Sequence, residues 1–177
     1  MPRHSKNLNA LFLLAALGAA ATSRADDPGC KPLLASLSKY IDTPSHTYSE
    51  SSKGTQGTVQ KTETINTGAQ RFLLTGGSWM LSKMTTEDLK AQTQQNLSSA
   101  HCQFVRDEMV GAESTALYAF KVSNDLADSD GHLWISKRSG LPVKQDQSVH
   151  LGDTPAEVMH VSQRMSYDDV KAPAGGH

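Results

Sequence analysis

The sequence predicts an α+β domain, a strongly curved antiparallel sheet (an incomplete β-barrel) with helices covering its concave face. Three observations predict it. Short alternating segments recur with Gly, Asp, Asn and Ser turns between them, which is the pattern of successive hairpins. Helical periodicity occurs in two segments of the exported chain, one early and one in mid-chain. An antiparallel sheet built from so many strands curls and needs a cover on one face. At 177 residues the chain has room for one domain.

The N-terminus reads as a targeting segment. Arg3, His4 and Lys6 form a basic start, and Leu8 to Ala21 is an apolar stretch too short for a membrane span. Ser23-Arg24-Ala25 fits a small-x-small cleavage site. The expected organisation is a cleaved signal peptide over 1–25, one domain over 26–171 and a flexible tail over 172–177. A lipid anchor on Cys30 is not expected, because Asp26, Asp27, Pro28 and Gly29 separate it from the apolar stretch. No other apolar run reaches about 18 residues, so the mature chain has no expected transmembrane segment. The expected location is the periplasm.

Lys31 to Asp42 places Leu33, Leu34, Leu37, Tyr40 and Ile41 on one helical stripe. Asp27 is its candidate N-cap with Pro28 in the first position, or else Pro32 lies in the first turn; Thr43-Pro44 ends it. His46 to Ser52 and Thr58 to Thr67 read as two solvated, Thr-rich and Ser-rich strands. Arg71 to Thr75 and Ser78 to Lys83 are stronger strands joined by Gly76-Gly77. Thr85 to Leu97 is the second helix, with Thr85 and Asp88 spaced as a capping box. Its apolar face is thin (Met84, Leu89, Leu97), which suits a helix lying over an opening or a sheet edge. Five further strands follow, His101 to Val110, Thr115 to Ser123, His132 to Lys137, Leu141 to Leu151 and Glu157 to Tyr167, with Asn124 to Gly131 read as a turn.

Cys30 and Cys102 are the two cysteines, and in an oxidising compartment they are expected to form a disulfide. Seventeen Lys and Arg against 18 Asp and Glu leave a net charge of −1, and loss of the leader removes three cations and no acid. That balance speaks against a nucleic-acid partner, which needs a basic footprint.

The string His132-Leu133-Trp134-Ile135-Ser136-Lys137-Arg138-Ser139-Gly140-Leu141-Pro142-Val143-Lys144 resembles a local pattern of LolA-like periplasmic proteins, in which GLPVK opens a strand after a Gly turn. Met165-Ser166-Tyr167-Asp168-Asp169-Val170 is similar to the last strand of such proteins. The resemblance implies an incomplete barrel closed by a helical lid over an apolar cavity. It implies carriage of lipids or lipoproteins, or sensing of them with regulation of partners. By position, Arg71 is a candidate for the arginine that gates the lid in LolA. A disulfide tethering the helical layer departs from a freely opening lid.

Leu33, Leu37, Tyr40 and Leu89 are the candidate inner face of the lid. Trp79, Phe104, Tyr118, Phe120 and Trp134 are candidate cavity residues on the sheet; the same residues also suit a plain core. No H-x-x-x-H spacing, no G-x-S-x-G elbow and no phosphate loop occurs. His132, His150 and His160 lie on successive expected strands, the one route to a metal or hydrolytic site; none is expected, nor a cofactor. The expected function is a non-enzymatic carrier for an apolar or acylated ligand of lipid or lipoprotein type. The alternative is an interaction or regulatory module with a filled core that binds an envelope protein.

Overall fold

A computed structural model describes residues 27–54, 57–123, 128–151 and 158–174. The expected leader over 1–25 and residues 175–177 of the expected tail lie outside them. A short 3-10 turn, Pro28–Cys30, leads into helix α1, Lys31–Asp42. Four strands follow: β1 Ser45–Lys53, β2 Gln60–Asn66, β3 Arg71–Thr75 and β4 Ser78–Leu81. Helix α2, Thr86–Ser98, then precedes β5 Ala100–Val110, β6 Glu113–Ser123, β7 Asp128–Ser136, β8 Pro142–His150 and β9 Val158–Ser166.

All nine strands form one antiparallel sheet in the order β4-β3-β2-β1-β9-β8-β7-β6-β5. Hairpins make most of the neighbours, as the short connections require. The long-range pairing is β1 with β9. The strands β4 and β5 are the two edges, and α2 carries the chain between them. The sheet is open, not a closed barrel.

The local signals act as their chemistry dictates. Asp27 caps the 3-10 turn, accepting from the Gly29 amide at 2.8 Å, whereas α1 itself starts after Cys30 with no side-chain cap and Pro32 in its first turn; Thr43 closes it. Thr85 and Asp88 form a reciprocal capping box on α2. One expectation fails by composition. Asp128 to Gly131, which read as turn residues, are the first residues of β7. Their place is set by pairing with β6 and β8, and Gly131 fits because a side chain there would meet the Asp146 carbonyl and the Phe120 ring.

The core lies where α1 crosses one half of the sheet. Leu33 is 1% exposed and packs with Leu133, Ile135, Val122, Ala100 and Leu97. Leu34, Leu37, Tyr118 and Phe120 pack against this cluster. The disulfide Cys30–Cys102 joins the start of α1 to β5 across a separation of 72 residues. Gly29 sits so close to the Cys102 carbonyl that a side chain there would collide with it. Asp27 adds a hydrogen bond from the Cys102 amide and an ion pair with His101 at 2.7 Å.

Reduction of the disulfide, or the pair Cys30→Ser and Cys102→Ser, should lower stability by roughly 4 kcal/mol on the chain-entropy account. Urea unfolding with and without reductant reads this directly. Leu33→Ala should cost about 2–5 kcal/mol with the disulfide intact.

Candidate functional site

Residues directly opposite one another share a face of the sheet, so the pairing registers assign every side chain to a side. The helix side changes character along a single row. Phe104, Tyr118 and Leu133 occupy it on β5, β6 and β7. Gln145, Gln163, Ser49 and Thr62 continue it on β8, β9, β1 and β2. The apolar part lies in the half filled by α1. The polar part floors a cleft of about 240 Å³.

This cleft is lined by Tyr40 of α1 and Leu89 of α2, by Thr47, Ser49 and Ser51 of β1, and by Thr62 and Thr64 of β2. Arg71 and Leu73 of β3 and Val161 and Gln163 of β9 complete most of its wall. The spacing Thr47-x-Ser49-x-Ser51 and Thr62-x-Thr64 puts these hydroxyls on one face of each strand. Tyr40 and Thr47 share a hydrogen bond of 2.7 Å, and the Gln163 amide donates to Ser49 at 3.0 Å. The Asn66 amide donates to the Ile41 and Thr43 carbonyls at 3.0 Å each, which ties the end of α1 to β2. Tyr167, after β9, donates its hydroxyl to the Pro142 carbonyl; burial holds its pKa far above the ordinary tyrosine value.

The floor carries one guanidinium. Arg71 is half-buried, and burial pulls its pKa down from the ordinary arginine value, with Tyr40 close by acting in the opposite sense. Glu63, the one acid among the described lining residues, turns its side chain to the opposite face of the sheet, where His46 engages it at 2.8 Å.

The sequence candidates separate accordingly. Leu33 is in the packed core, and Leu37, Tyr118 and Phe120 lie against it. Tyr40 and Leu89 line the cleft. Phe104 is 54% exposed at the β5 edge, its ring edge-on to Tyr118. Trp79 and Trp134 lie on the side of the sheet away from α1, in a row that runs Trp134, Lys144, Arg164, Tyr48, Glu63, Leu74, Trp79. The row shows why two tryptophans come to opposite ends of one face, which strand-by-strand reading does not reveal. Trp134 donates its indole N–H to Glu108, and Lys144 sits 4.2 Å above its ring. Trp79 meets the His46 ring edge-on. Cys30 and Cys102 are joined as expected.

The far side holds a broader depression of about 480 Å³ that includes Asp130, His132, Asp146, Ser148, His160 and Ser162. Many of its polar groups satisfy one another: Ser162 donates to Asp146, Ser148 bonds His160, and His150 pairs with Asp130. Lys144 pairs with Asp146 at 2.6 Å. His132, His150 and His160 share this face, but among the described residues no three His, Cys, Asp or Glu side chains form a group that could hold a metal. The helix-side cleft is therefore the stronger candidate, since its cation has no such partner.

No family model and no curated protein matches the chain. Among solved structures it is similar to MucB in complex with MucA(peri), at 16% identity and a TM-score of 0.41, covering 83% of this chain and 60% of that one. It is similar to a DUF1329 family protein from Desulfovibrio piger at 12% identity and a TM-score of 0.31, covering 82% and 95% of the two chains. It is also similar to a putative outer membrane lipoprotein-sorting protein domain from Vibrio parahaemolyticus at 7% identity and a TM-score of 0.30, covering 80% and 93%. The chain spans 60% of the length of the MucB chain. Among the described residues no helix is long and apolar enough to cross a membrane.

The Trp134 indole holds the Glu108 carboxyl below its ordinary pKa, and the Arg106 guanidinium adds to this. A carboxylate depressed on folding stabilises the native state above its unfolded value, about 4.3, and loses that contribution as pH falls through the folded value. In a Trp79→Phe background, Trp134 emission should therefore shift on acidification below the usual carboxylate range. Glu108→Gln should remove that step.

Proposed function

We propose that the protein is a periplasmic, non-enzymatic binding and carrier module that takes an acylated ligand into the helix-side cleft. In this reading the leader over 1–25 exports the chain, and α1 and α2 cover the concave face of the curved sheet. The observation that carries the reading is the two-sided lining of the cleft. Leu73, Leu89 and Val161 offer apolar surface for a chain, while the Ser, Thr and Gln floor offers hydrogen bonds to a polar portion. A purely apolar ligand would offer the floor's polar groups no hydrogen bond beyond those they make to one another, which disfavours it. The core beneath α1, by contrast, is already filled by Leu33 and its neighbours.

A titration of the exported protein with a fluorescent long-chain acyl probe tests this. Saturable, near-stoichiometric binding is expected, and Ser49→Phe, which fills the floor, should weaken it by about tenfold or more. No binding by the parent protein would end the carrier reading.

One observation favours the interaction module as a second reading. Edge strand β5 presents Phe104, Val105 and Met109, which are 54%, 37% and 61% exposed, next to an unpaired backbone edge. A photo-crosslinking residue at Gln103 should then give one discrete protein adduct in the periplasm, lost with Val105→Pro. A diffuse set of adducts would count against it.

A further inference from the structure

We infer that Arg71 is the anchor for an anionic head group, a carboxylate or a phosphate monoester, on the ligand of the helix-side cleft. The inference rests on the carrier reading above and narrows its ligand class. Four observations carry it.

Arg71 begins β3 opposite Asn66 and lies on the helix side, among the residues that line the cleft. Among the described residues its guanidinium has no ion pair and no hydrogen bond, while the main-chain carbonyl of Arg71 accepts from the Ser82 amide. It therefore does not latch α1 or α2. The nearby acids are committed elsewhere: Glu63 to His46 at 2.8 Å, and Asp42 at the end of α1 to Lys90 of α2 at 2.8 Å. The rest of the floor is uncharged.

A half-buried cation without an anion is costly, and its charge persists because guanidinium keeps its proton. An oxyanion bound there recovers the cost. The planar fork of Arg meets two oxygens of a carboxylate or phosphate at once, which a single ammonium cannot do. Thr47, Thr62 and Thr64 are rotatable hydroxyls on the same floor and can donate to the remaining oxygens. Leu73 and Leu89 then lie beside the head group where an acyl chain would leave it.

The test compares decyl phosphate, decanoate and 1-decanol as competitors of a bound fluorescent acyl probe. All share one chain length and differ in the head. The parent protein should prefer at least one anion over the alcohol by about tenfold or more, the effect of a charged hydrogen-bonded pair. Arg71→Gln should bring that ratio close to unity, and Arg71→Lys should restore part of it. The better of the two anions identifies the head group as phosphate or carboxylate. Circular dichroism and melting of Arg71→Gln check that the fold persists. Equal affinity for anions and alcohol, or a preference that survives Arg71→Gln, would overturn the anchor while leaving the carrier reading in place. Failure of every probe to bind the parent protein would overturn both.

Discussion

The attachment of α1 to the sheet is the constraint on which the rest depends. It has a covalent part, the Cys30–Cys102 bond, and an apolar part centred on Leu33 against Leu133 and Ile135. Both act on the same half of the sheet, under β5 to β7. A helix of 12 residues spans about 18 Å, which is less than the width of nine strands spaced about 4.8 Å apart. Fixing its start above β5 therefore leaves only its C-terminal end, at Tyr40, to reach the other half. The cleft exists because the helix is pinned off-centre.

The sequence of β1 and β2 follows from that offset. Strands beneath a packed helix would need apolar residues on the covered face. Thr47, Ser49, Ser51, Thr62 and Thr64 occupy that face instead, where a polar cleft replaces an apolar core. Threonine keeps the β-branched shape that suits a strand while offering a hydroxyl. Asn66 then does what packing does elsewhere, holding the end of α1 through two carbonyls. Toward β5 to β7 the helix is held by dispersion and a disulfide, and at its C-terminal end by hydrogen bonds with the buried Asn66 and Thr47.

Much of this architecture was legible in the residues. Capping chemistry placed α2, because the Thr85–Asp88 box acts within a few residues of itself, whereas Asp27 caps the 3-10 turn ahead of α1 and α1 itself starts without a side-chain cap. The hairpins were legible for the same reason. The start of β7 was not, since Asp128, Ser129, Asp130 and Gly131 have turn chemistry and are held as strand by neighbours distant in sequence. The pairing of β1 with β9 is also invisible to local pattern, and it decides which residues share the cleft. Helical spacing puts Leu89 and Tyr40 on the apolar stripes of their helices, and both line the cleft. Nothing local distinguished them from Leu33, which is buried, because the difference lies in what faces each of them across the gap. The alternating Ser and Thr of β1 and β2 suggest solvated strands, and one face of that alternation lines a cleft.

Selectivity in such a cleft has to come from few groups. Hydroxyls donate or accept by rotation, so the Ser and Thr floor accommodates many polar partners with little discrimination. The apolar wall discriminates only by size, at about 0.8 kcal/mol for each buried methylene. The one group that cannot adapt its sign is Arg71. Its desolvation is paid in the folded protein whether or not a ligand is present, which makes an anion's arrival more favourable than at an exposed cation. In an apolar core an unpaired guanidinium would be strongly destabilising, whereas at the start of a short strand beside hydroxyls it is tolerated. The off-centre helix thus accounts for both the space and the tolerance: it leaves β3 partly covered, enough to strengthen the field of the guanidinium and not enough to expel it.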